Sequence, residues 1–116
     1  VRALLATEPA VVEAAGPAER RRVRAVLSHI LPVSRRARGL LDDTRWAGAP
    51  PAYPLERIAA PLLAVSAEDD LYGTHAAARH TAESAPRGAL VSFPTGGHLL
   101  VGRSTAVWDG VAEFLS

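Results

Sequence analysis

Two short apolar runs, LLAVSA at residues 62–67 and ALVSF at 89–93, constrain this chain more than anything else in it. Each is too short and too uniformly apolar for an amphipathic helix, and each suits a strand buried on both faces of a parallel sheet. Between them THAAARHTAESA (74–85) reads as a helix and Pro86-Arg87-Gly88 as a turn. Strand, helix, strand in that order implies parallel strands joined by a right-handed crossover. Ser104 then opens a last helix whose Val107, Val111, Phe114 and Leu115 are expected to face inward. The fold class is α/β.

The first half is built differently. Pro9 should interrupt a helix near Glu8, and Gly16-Pro17 marks a boundary. From Ala18 the apolar residues Val23, Val26, Leu27, Ile30 and Leu31 recur at helical spacing up to Pro32, with Arg20, Arg21, Arg22 and Arg24 mostly off that stripe, as on a solvated face. A short helical piece is expected over 33–41. Residues 42–57 (DDTRWAGAPPAYPLER) read as a loop, with Trp46 and Tyr53 anchoring it to the core. Charge follows the same division: residues 1–57 hold ten Arg against six acids, and residues 58–116 three Arg against six acids. The chain is therefore divided into a helical cap-like segment with linker, 1–54, and an α/β part, 55–116.

Several function classes are excluded by what is missing. The sequence has no Cys, which removes disulfide frameworks, thiolate metal sites and Cys nucleophiles together. No apolar run reaches membrane-spanning length and the start does not resemble a signal peptide, so a cytoplasmic location is expected, with no membrane partner. The absence of Lys and the abundance of Ala and Arg suggest a bacterial coding sequence. His75 and His80 lie five apart on a helix rather than the four that would align two imidazoles for a metal. They are read as surface or packing residues, and His29 as a capping or packing residue of its helix. The acidic triplet 68–70 alone does not specify a cation site. No metal, cofactor or nucleic acid is expected.

Open parallel sheets gather their chemistry just beyond the carboxyl ends of the strands. Asp69 follows the first strand there, and His98 follows the second after Gly96-Gly97. With neighbouring strands about 4.8 Å apart, a carboxylate from one loop reaches the imidazole of the next and fixes its tautomer. The other ring nitrogen is then free to act as a general base. Asp69 is the expected acid, with Asp70 as the alternative in a shifted register; Asp69 could instead merely cap the helix starting near Thr74.

On these residues, PLERIAAPLLAVSAEDDLYGT followed by GALVSFPTGGHLLVGRSTAVWDGVAEFL resembles the last two strands and final helix of the α/β-hydrolase family, over roughly residues 55–116. In that resemblance Ser66-Ala67-Glu68-Asp69 fits the acid motif, with Ser66 where Gly is commoner, and Gly97-His98 fits the His motif. The first half resembles part of a helical cap. The resemblance implies a hydrolase of ester, amide or related bonds acting on a small-molecule substrate, with Asp69 orienting His98. The family's nucleophile, on a Gly-flanked elbow upstream of the acid, has no counterpart: Ser28, Ser34, Ser66, Ser84, Ser92 and Ser104 all lack that context. The chain is thus expected to be a catalytically incomplete fragment that self-associates through exposed apolar sheet faces. Two other readings stay open: an inactive interaction module of the same fold, docking through its Arg-bearing helix, and part of an Asp-nucleophile dehalogenase or epoxide hydrolase.

Overall fold

A computed structural model of the chain describes residues 2–49 and 51–116. Its elements run α1 (Arg2–Leu5), α2 (Pro9–Ala14), α3 (Pro17–Ile30), a 3-10 turn at Val33–Arg36, α4 (Ala37–Gly48), a 3-10 turn at Leu55–Arg57, β1 (Leu62–Ala67), α5 (Thr74–Ser84), β2 (Gly88–Phe93) and α6 (Ser104–Leu115). Pro9 and Pro17 both stand in the first turn of a helix, where the missing N–H has no intrahelical acceptor to lose. Pro9 thus starts α2, rather than only ending what precedes it.

β1 and β2 pair in parallel, with Leu62 opposite Gly88 and Ala67 opposite Phe93. Gly88 is required by close approach: a Cβ there would come within 2.0 Å of the Ala82 carbonyl oxygen of α5. That contact, and a hydrogen-bonding distance of 2.9 Å between His75 Nε2 and Ser92 Oγ, place α5 over the face carrying Gly88 and Ser92. α6 covers the opposite face, where Gly110 lets the helix settle onto Val91. The mixed α/β class expected from the sequence is what forms.

The core lies to one side of this sheet. Leu5, Val23 and Val101 are buried together, with Val11, Val26, Leu27 and Leu99 packed against them. Helical and α/β parts therefore contribute to a single apolar cluster. Strand residues Leu62 to Val65 stay only half-buried, since one helix per face cannot cover two strands.

Three local expectations are corrected. Residues 42–48, read as loop, continue α4, because LLDDTRWAG contains no Pro and its Leu, Asp and Arg residues tolerate a helix. Trp46 and Tyr53 anchor nothing, being 70% and 66% exposed. Leu115 points outward in the last turn of α6, whereas Val107, Val111 and Phe114 are partly covered. The whole chain exposes 7975 Å², against about 6,100 Å² for a monomeric protein of this mass. Its radius of gyration is 15.6 Å, where about 13 Å is usual for this length. Among the described residues no helix is long and apolar enough to cross a membrane.

Candidate active site

Both loops expected to carry the chemistry leave the carboxyl ends of β1 and β2, and they meet. The ladder runs one step beyond the strands, with Glu68 N–H donating to the Phe93 carbonyl at 2.9 Å. The chain then turns, Asp70 N–H bonding back to the Ala67 carbonyl at 3.2 Å. This turn brings Asp70, not Asp69, against the histidine: His98 Nδ1 lies 2.8 Å from Asp70 Oδ2. An ionised carboxylate only accepts, so Nδ1 carries the proton and Nε2 is left as the basic nitrogen. Among the described residues no hydrogen bond reaches Nε2, and the imidazole is nearly half exposed while the Asp70 carboxylate is buried.

Asp70 is bound from three directions. Tyr72 N–H donates to Oδ1 at 2.8 Å, an Asx turn, and the Thr74 hydroxyl joins His98 on Oδ2. Burial pushes this carboxyl towards neutrality. The hydrogen bonds from Thr74, His98 and Tyr72, with the attraction of His98, outweigh it and hold the pKa below its ordinary 3.8. The acid of the pair therefore stays ionised.

Asp69, expected as the orienting acid, has different partners. Its carboxylate accepts from Gly97 N–H at 2.7 Å and Gly96 N–H at 3.2 Å. It ties the first loop to the turn that presents His98, a structural task that two successive glycine amides make possible. Gly97 adopts φ +61°, a left-handed conformation that glycine enters without steric cost. The shift from Asp69 to Asp70 follows from where the strand stops. Ala67 is the last β1 residue, and the pattern of small residue, two variable positions and acid is met by Ala67-Glu68-Asp69-Asp70 as well as by Ser66 through Asp69. The legible signal was Asp70-Leu71-Tyr72-Gly73-Thr74, an acid with a hydroxyl four residues on and a glycine at the helix cap.

Tyr72, which no motif in the sequence marks, packs edge-on against His98, ring centres 4.8 Å apart at 80°. Its hydroxyl donates to the Leu4 carbonyl at 3.2 Å. The same ring lines a groove of 560 Å³ with Leu40, Thr44 and Ala47 of α4, whereas the hollow directly beside Asp70 and His98 is only 80 Å³. Ser66 lines that small hollow and is buried. His75 engages Ser92, His80 lies 3.4 Å from Ser84 Oγ, and His29 is exposed on α3. No cluster of three or more His, Asp or Glu suited to a metal occurs among the described residues.

Two of the four arginines on α3 are engaged internally rather than solvated. Arg20 donates to the Ala15 carbonyl at 2.6 Å, and Arg22 binds Glu19 and the Leu99 carbonyl. Compared with known proteins, the chain matches no family model, no curated protein and no solved structure.

Proposed function

We propose that the chain provides the base and orienting acid of an α/β-hydrolase-like enzyme cleaving ester, amide or related bonds in a small molecule. His98 is the base and Asp70 its acid, in place of Asp69. The observation that carries this reading is the 2.8 Å contact between His98 Nδ1 and the buried, ionised Asp70, at the carboxyl ends of two parallel strands. Asp70 holds the neutral imidazole in the tautomer that leaves Nε2 basic, and stabilises the imidazolium once Nε2 has taken a proton from a nucleophile or water. The groove between Tyr72 and α4 lies next to this pair and is large enough for a small apolar substrate.

The nucleophile is a residue outside these 116. None of the serines upstream of the acid sits on a Gly-flanked elbow, and Ser92, the serine bonded to a histidine ring nitrogen at 2.9 Å, is paired with His75. The interaction-module reading is less favoured, because Arg20 and Arg22 are held by carbonyls and by Glu19 within the chain.

A panel of aryl esters tests the proposal. The 116-residue chain should show no turnover above that of free imidazole, since no covalent route exists without a nucleophile. The polypeptide extended by its own upstream coding sequence should hydrolyse at least one ester, with a loss on the order of 10⁴-fold for Asp70→Asn and a loss at least as large for His98→Ala. Turnover in the extended chain that survives both substitutions would overturn the assignment.

A further inference from the structure

The residues between α1 and α2 touch both loops of the candidate site at once. Leu5, which ends α1, and Ala6 and Thr7 after it are 3%, 1% and 0% exposed, which is unusual where two short helices are joined. The carbonyl of Ala6 accepts from Leu71 N–H at 3.1 Å and from His98 N–H at 3.3 Å. One oxygen thereby joins the residue after the acid to the backbone of the base. Thr7 donates to the Leu5 carbonyl at 2.8 Å and accepts from Leu99 N–H at 3.4 Å. It fills the space beside Gly97 so closely that a Cβ there would come within 2.5 Å of its side chain.

Ala6 holds φ +41°, a left-handed conformation that brings the Cβ of an alanine too close to the following carbonyl oxygen. Such a residue persists where its surroundings over-determine it, and here they do so through the two amides converging on its carbonyl. From α3, Arg22 reinforces the same loop by donating to the Leu99 carbonyl at 2.9 Å, and Glu19 accepts from Gly102 N–H at 3.1 Å. The bonds from Ala6 and Thr7 to His98 and Leu99, with those of Arg22 and Glu19, converge on residues 97–102, the loop that carries His98.

We infer that Leu5–Thr7 is a positioning element for His98: Thr7 and the Ala6 carbonyl hold the imidazole at the distance where Asp70 selects its tautomer. The inference rests on reading His98 and Asp70 as the reactive pair. Among the described residues Thr7 makes no hydrogen bond to either ring nitrogen of His98, so it acts through the backbone of Leu99 and the packing on Gly97.

Ring ¹⁵N spectra of the full chain test it by reporting the ratio of Nδ1–H to Nε2–H tautomers at His98 near neutral pH. In the unaltered chain Nδ1–H should dominate. Thr7→Val keeps the shape and removes the hydroxyl, and should lower the ratio at least threefold, while Thr7→Ser restores it. Arg22→Gln loosens the loop from its other side without touching the buried segment, and should move the ratio the same way by a smaller factor. If Thr7→Val does not fold, Arg22→Gln decides alone. Folded variants that retain the unaltered ratio would overturn the inference, because a merely structural Thr7 would lower thermal stability and leave the tautomer as it was. Asp70→Asn separates the two readings: a ratio insensitive to it removes the acid–base pair itself, whatever Thr7 and Arg22 do.

Discussion

Helices α3 and α4 have similar lengths, 14 and 12 residues, and both carry apolar side chains at helical spacing, yet one is built into the molecule and the other lies on it. α3 buries Val23 to 1% exposure and holds the His98 loop through Glu19 and Arg22. α4 buries no residue, and Leu40, Leu41 and Trp46 are 51%, 60% and 70% exposed. The difference lies in what faces each helix. α3 meets a loop with unpaired carbonyl and amide groups that its Arg and Glu satisfy, so polar bonds fix the register of the apolar contact. α4 meets only the rim of a groove.

The largest effects should separate these helices cleanly. Val23→Asp places an unpaired charge in the shared core, and its penalty of several kcal/mol is comparable to the whole stability of a small domain. No cooperative thermal transition should remain. Leu41→Asp on α4 should change stability by less than about 0.5 kcal/mol, and a large loss there would show that α4 is packed after all.

Glycine substitutions give the next contrast. Gly97→Ala forces a side chain into Thr7 at positive φ, and should destabilise by about 3 kcal/mol through strain and overpacking together. Gly39→Ala on α4 meets nothing within 4 Å, and should stabilise by about 0.5–1 kcal/mol. Denaturant titration of both measures the opposite signs.

Acid titration is subtler. Asp70 and Glu19 both have folded pKa values below the ordinary 3.8 and 4.5: Glu19 through its bond to Arg22, opposed by burial and aided by Gly102 and Ser104. A depressed carboxyl contributes stability that is fully present above its unfolded pKa and is lost as pH falls through the folded one. Melting temperature should therefore hold from neutral pH down to about 5 and drop below about 4, and Glu19→Gln should flatten that drop. Smallest of all should be Asp42→Asn on α4, which removes an exposed pair with Arg45 at 3.4 Å and should cost at most about 0.5 kcal/mol in a thermal melt.

The same contrast explains what the sequence made legible. Both strands, the crossover helix and the place of His98 at the strand ends follow from local pattern, since a short apolar run ending at Phe93 is followed within five residues by Gly-Gly-His, where the backbone is free to turn. Asp70 was harder, because two adjacent acids differ only in how far the strand runs before it turns, and that is set by pairing with Phe93 across the sheet. Residues 42–57 look like one loop because they are rich in Pro, Gly and Ala, yet the helix of α4 breaks only after Gly48. The tie from Ala6 to His98 spans 92 residues through a backbone carbonyl, which no side-chain pattern encodes.

The large exposed area has a calorimetric meaning. A chain that keeps more surface in water when folded has less to expose on unfolding. From the usual scaling of folded and unfolded areas, this one should uncover about one sixth less than a compact protein of its mass. Denaturant sensitivity and the heat-capacity increment both follow that area. The unfolding transition in urea should accordingly be broader, and the stability curve flatter with temperature, than its 116 residues imply. Any partner or second copy that covers the half-buried strands should sharpen the transition by raising the area released at once.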